Sequence, residues 1–158
     1  PGSGTSVRVY LPAEEAVVAD GASPTGDLTG TQTILMVDDE DLLLTMGETI
    51  LSAYGYKVLT ANTGQKALDI LSRTGPAVDL IITDLIMPVM SGRELVERVR
   101  HISPQTRVIC TSGYVWPTGH RDLAGFLQKP FKIKELSKKI RDVISGSKSA
   151  SRSLRVKS

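Results

Sequence analysis

The chain has 158 residues, 41% of them hydrophobic and 23% charged, a balance that fits a single globular domain with extensions. Its net charge of +2 is unevenly spread: residues 1–29 carry one base and four acids, the last eleven carry four bases and no acid, and the stretch between is nearly neutral, which argues against a nucleic-acid-binding face. A single cysteine, Cys110, excludes an internal disulfide framework, and no apolar run has the length of a membrane span, so a cytoplasmic location without membrane contact is expected.

The first element is TSVRVYLP, which alternates Val7, Val9 and Leu11 against Ser6, Arg8 and Tyr10 in the manner of a half-buried strand closed by Pro12. Residues 13–32, rich in Ala, Gly, Ser, Thr and Asp, read as a linker. TILMV (33–37) is a continuous apolar run, the mark of a strand covered on both faces. A helix follows with Leu43, Met46 and Ile50 at helical spacing and Gly55 as its stop signal. KVLTA (57–61) is a second strand, after which Asn62 and Gln65 suggest a capping box ahead of the stripe Ala67, Leu68 and Leu71. VDLIITD (78–84) is a third strand, and Ser91 with Glu94 opens a helix whose apolar face is Leu95, Val96 and Val99. RVICTS (107–112) and GFLQ (125–128) are strands four and five. Between them, the Pro117 and the glycines of GYVWPTGHRDLA leave room for only a short or degenerate fourth helix. The last helix carries Ile133, Leu136, Ile140, Val143 and Ile144, and residues 147–158 read as a disordered basic tail. Alternation of buried strands and amphipathic helices predicts an α/β domain over 33–146: a doubly wound parallel sheet of five strands, order 2-1-3-4-5, with helices on both faces.

In such a sheet, ligands bind beyond the carboxyl ends of the strands. Asp38, Asp39 and Glu40 follow strand one, Asp84 ends strand three, Thr111, Ser112 and Gly113 end strand four, and Lys129 follows strand five. Taken singly, these are ordinary cap, turn or surface residues. Together at one sheet edge they suit phosphoryl transfer. Asp39 and Asp84, supported by Asp38, supply oxygen ligands for Mg²⁺, a carboxylate is a competent nucleophile toward phosphorus, and Lys129 and the Ser112 hydroxyl neutralise charge on the transferred group.

The segments ILMVDDE (34–40), DLIITDLIMPVMSG (79–92), VICTSGY (108–114) and FLQKPF (126–131) resemble the receiver domain of two-component response regulators, a flavodoxin-like fold. That resemblance implies roles. Asp84 accepts the phosphoryl group, Asp38 and Asp39 form the acidic pair, and the backbone carbonyl of Ile86 joins the metal ligands. Ser112 is the hydroxyl switch residue and Lys129 the lysine that pairs with the phosphoryl group. Phe126 occupies the aromatic switch position, although it reads equally as a half-buried strand residue packed on the last helix. The implied donor is a phosphohistidine on a histidine kinase or histidine phosphotransfer domain, in cis or in trans. The implied catalysis is limited to the domain's own phosphorylation and dephosphorylation. The short fourth helix removes the usual dimer face, so a monomer is expected.

PGSGTSVRVYLP is in turn similar to the closing strand of a histidine kinase ATP-binding domain. Residues 1–12 are therefore expected to be a kinase remnant, and the whole a C-terminal receiver of a bacterial hybrid sensor histidine kinase, with residues 1–29 mobile or loosely docked. The alternatives are a stand-alone single-domain response regulator, an aspartate-nucleophile phosphatase, or an interaction module that is not phosphorylated.

Overall fold

The computed structural model describes residues 29–74, 77–114 and 123–153, with side chains as far as Gly146. Five strands, β1 (Thr33–Val37), β2 (Lys57–Ala61), β3 (Leu80–Asp84), β4 (Arg107–Ser112) and β5 (Gly125–Gln128), form one sheet in the order β2-β1-β3-β4-β5. Every neighbouring pair is parallel. The helices are α1 (Asp41–Ala53), α2 (Gly64–Thr74), α3 (Gly92–Ile102) and α4 (Ile133–Ser153). The reversal of strand order lies between β1 and β3, where the crossovers leave opposite faces of the sheet. The expected helix between β4 and β5 falls on residues 115–122, outside the described residues, as do the strand at 6–11 and most of the linker.

The two faces hold separate cores. Leu35, Val37, Ile81, Val108 and Cys110 meet α2 and α3 through Ala67, Leu68, Leu71, Leu95, Val96 and Val99. On the other face, Ile34, Leu80, Ile82 and Ile109 meet α1 and α4 through Leu51, Leu136 and Ile140. The stripes expected on α2 and α3 are therefore the buried ones. The α1 stripe is not: Leu44, Gly47 and Leu51 face the sheet, and Met46 is exposed. Gly47 sets that rotation. A Cβ there would come 2.4 Å from Met36 Cε, so the helix seats its glycine directly on a strand side chain.

Three local expectations also change. Helix α2 is capped by Thr63, whose hydroxyl accepts from the Lys66 N–H at 3.2 Å, while Asn62 donates to Asp41 and Gln65 reaches forward to Asp69. Residues 30–32 belong to the domain rather than the linker: the Gly30 N–H donates to the Tyr54 carbonyl and the Lys57 N–H to the Gln32 carbonyl. Helix α4 runs on to Ser153, through residues expected to form a tail without structure.

Ser137 on α4 is fully buried, and its hydroxyl has no hydrogen-bond partner among the described residues. Burying an unpaired hydroxyl costs more than a methyl in the same place. Ser137→Ala is therefore expected to stabilise the domain by about 1 kcal/mol. A rise in urea midpoint at unchanged slope would show it, and a fall would mean that the hydroxyl is bonded in solution.

Candidate phosphoryl-acceptor site

The site forms where the apolar strands run out. The Asp38 N–H still donates to the Ala61 carbonyl (3.2 Å), so the acidic loop leaves β1 tied to the end of β2. Asp84 is the last residue of β3, paired in register with Thr111, and the next N–H, that of Leu85, donates to the Thr111 carbonyl (2.9 Å). Lys129 follows β5, and its N–H donates to the Ser112 carbonyl at 2.8 Å, while the peptide joining it to Pro130 is cis.

These backbones bring four side chains together. Lys129 Nζ donates to Asp38 Oδ2 and to Asp84 Oδ2, each at 2.8 Å. The other oxygen of each carboxylate is held by backbone: Asp38 Oδ1 by the Glu40 N–H at 3.0 Å, Asp84 Oδ1 by the Ile86 N–H at 3.1 Å. Both carboxylates are thus fixed at both oxygens. Carboxylate oxygens of Asp38, Asp39 and Asp84 lie within 4.8 Å of one another, with Asp38 buried and Asp39 exposed. Burial works against the charge on Lys129, but the hydrogen bonds and charges of Asp38 and Asp84 outweigh it and hold its pKa above the ordinary lysine value. Three carboxylates and one ammonium leave a net negative charge in a pocket open on the Asp39 side. Hard oxygen donors, uncompensated charge and an open side fit a Mg²⁺ ion, which keeps places for water and for a phosphate oxygen.

The other expected residues lie around this group. Ser112 is buried, and its hydroxyl accepts from the Tyr114 N–H at 3.1 Å. Ile86 stands beside Asp84 through the N–H already described, with its side chain 58% exposed. Phe126 does not pack on the last helix. It is half-buried against the α2–α3 core, while its neighbour Leu127 packs toward α4.

Two backbone features here went unread in the sequence. A Cβ on Gly92 would come 2.1 Å from the Asp84 carbonyl oxygen, so α3 starts pressed against the backbone of Asp84, and only glycine fits. Before it, the Met90 N–H donates to the Pro88 carbonyl (2.7 Å) across Val89, whose φ of 66° makes the centre of a tight γ-turn. A β-branched residue there costs about 1–3 kcal/mol, and the Val89 side chain is fully exposed, so its packing returns nothing. Glycine relieves the strain against a backbone-entropy cost of about 0.5–1 kcal/mol. Val89→Gly is expected to raise stability by about 1 kcal/mol in denaturant titration, and destabilisation would show that Val89 is packed in solution.

Comparison with known proteins agrees with this geometry. The sequence profile of the response regulator receiver domain matches residues 34–141. The chain is 34% identical to the sensor kinase CckA of Brucella abortus (strain 2308), an alignment that takes in 90% of this chain and 17% of CckA. The structure resembles that of the receiver domain from the hybrid histidine kinase CckA (TM-score 0.64, 34% identity, covering 71% of this chain and 98% of that one). It also resembles the response regulator TrrA of Thermotoga maritima in complex with Mg(2+)-BeF (TM-score 0.64, 27% identity, 72% and 99% covered). The chain belongs to the response regulator receiver domain family, and it is homologous to the receivers of hybrid sensor kinases.

Proposed function

We propose that this receiver accepts a phosphoryl group on Asp84 from a phosphohistidine, with Mg²⁺ held by Asp39, Asp84, the Ile86 carbonyl and, in support, Asp38. The observation that carries this reading is the Lys129 ammonium bridging Asp38 and Asp84 at 2.8 Å beside a third carboxylate. In the transfer, an Asp84 carboxylate oxygen forms the new O–P bond while the N–P bond of the donor breaks. The electron pair returns to the imidazole nitrogen, which takes a proton from solvent. Charge on the non-bridging oxygens is met by Lys129 Nζ and by the Ser112 O–H, whose oxygen is already positioned by the Tyr114 N–H. Mg²⁺, when bound, would add charge neutralisation to the same group. Movement of Ser112 toward the phosphoryl group, followed by rearrangement of Phe126, is the switch. That the similar structure of TrrA is of a complex with Mg(2+)-BeF supports a cation in a domain of this kind.

Leu42, Met46, Ile86, Val89 and Tyr114 are all exposed, and all stand on segments at the carboxyl edge of the sheet. This apolar rim suits docking of a histidine-bearing domain of a kinase or phosphotransfer protein. The 29 residues ahead of Gly30 are more than a tenth of the chain, so an alignment to CckA over 90% of it includes some of them. That extension supports an upstream kinase and hence a hybrid kinase parent in the cytoplasm. No described helix is long and apolar enough to cross a membrane. The reading is tested by incubation with a small phosphoramidate donor and Mg²⁺. One acid-stable, base-labile phosphoryl group per chain is expected by mass. No adduct and no Mg²⁺ binding would leave the interaction module, and turnover of soluble phosphate esters would point to a phosphatase.

A further inference from the structure

Residues 85–91, which join β3 to α3, form a small closed loop standing on Asp84. The Gly92 N–H donates to the Leu85 carbonyl at 3.0 Å and shuts the loop at its base, and the Ile86 N–H ties its start to Asp84 Oδ1. Leu85, Met87 and Met90 are buried and anchor it. Two apolar side chains are left outside: Ile86 is exposed, and Val89 is wholly so.

Val89 is the residue that the turn itself least explains. Glycine adopts a φ of 66° freely and asparagine readily, whereas a β-branched residue there is an outlier. Its side chain covers no apolar surface of its own domain. Strain held at an exposed apolar position beside a reactive group points to a contact made from outside. Any macromolecule that brings a phosphohistidine to Asp84 must cover this ground. The Cα of Ile86 lies at most about 7 Å from that of Asp84, and side chains one turn apart on a helix stand about 5–6 Å apart. A residue four positions from a helix-borne histidine therefore falls on the 85–91 loop when the imidazole meets Asp84.

We propose that Val89 is a specificity-determining contact for phosphoryl transfer, reading an apolar side chain one helical turn from the donor's phosphohistidine. The inference rests on the acceptor role of Asp84 and names the donors that site prefers: histidine-bearing helices with a branched aliphatic residue beside the histidine over those with a polar one. The isopropyl group is held out by the γ-turn between buried Met87 and Met90, so the donor side chain meets a surface that is already ordered. Stability is given up at this one position for recognition.

The test uses two synthetic helical peptides, each carrying one phosphohistidine, with leucine or with serine four residues to either side of it. Transfer to the full chain is followed by intact mass. The second-order rate constant for the leucine peptide is expected to exceed that for the serine peptide about tenfold, the low end for an apolar contact. The ratio should fall to about one in Val89→Gly and be kept in Val89→Ile. A change in folding or in the reactivity of Asp84 moves both rates together and leaves the ratio, so the ratio reads the contact alone. A ratio near one in the wild type, a ratio unmoved in Val89→Gly, or no transfer from either peptide to a chain that phosphoramidate labels would each overturn the contact while the acceptor reading stands. A chain that phosphoramidate does not label at all overturns the acceptor reading and the contact with it.

Discussion

Asp84→Asn is expected to abolish the phosphoryl adduct. The amide has no carboxylate oxygen to form an acyl phosphate, and a loss to background is expected with every donor, checked by intact mass and by base lability. The fold should survive the change. Asparagine keeps a carbonyl oxygen for the Ile86 N–H, and Lys129 keeps Asp38. Removing one of three clustered carboxylates also relieves mutual repulsion, so the melting temperature is expected to stay level or rise, while Mg²⁺ affinity falls. A variant that still takes up one base-labile phosphoryl group would place the acceptor elsewhere, with Asp39 the next carboxylate to examine.

Lys129→Met has the second large effect, this time on stability. The lysine is the shared partner of two carboxylates whose side chains are only 10% and 13% exposed. Without it, both are left close together and partly desolvated. Breaking a buried ion pair by removing one partner costs about 3–5 kcal/mol, and partial solvent access reduces this to about 2–3 kcal/mol at neutral pH. Urea unfolding measures it. Millimolar Mg²⁺ should restore part of the loss, because the ion binds only the folded state. The pH dependence has a definite sign. The folded-state pKa of Lys129 lies above its unfolded value, so its stabilisation is complete below the unfolded value, about 10.4, and is lost as pH rises through the folded one. The gap between wild type and variant is therefore flat from neutral to mildly alkaline pH and closes only beyond it. Tyr56, whose pKa burial raises despite the opposing charge of Arg141, is common to both proteins, so its titration cancels and the difference isolates Lys129. A gap that closed already near neutrality would mean that the ammonium is not what holds the two carboxylates together.

Much of this was legible because parallel sheets write plainly. Strands covered on both faces are unbroken apolar runs, as in Leu80–Ile82, and polar residues stop them abruptly at the edge where Asp38, Asp84, Ser112 and Lys129 stand. What escaped was orientation. In GFLQ, Phe126 and Leu127 are equally apolar and face different cores, so alternation could not say which one turns toward α4. On α1 the stripe slipped by one residue because its central contact is Gly47, which carries no hydrophobic signal yet makes the closest approach. Asn62 looked like a cap by residue type, but the neighbouring Thr63 competes for the same N–H groups and wins, freeing Asn62 to link Asp41 with Lys66. The bridging geometry of Lys129 was not readable either, since Lys129 is separated from its partners by 91 and 45 positions and meets them only through strand order.

Thr29 and Ser145 line one open cleft at the amino ends of the strands, so the packed core begins and ends at neighbouring points, with α4 continuing to Ser153. A unit whose core begins and ends side by side, at the pole away from Asp84, can be spliced as a cassette into a surface loop of an unrelated host without stretching either flank. The carboxyl edge of its sheet, with Asp38, Asp84 and Lys129, would then face outward.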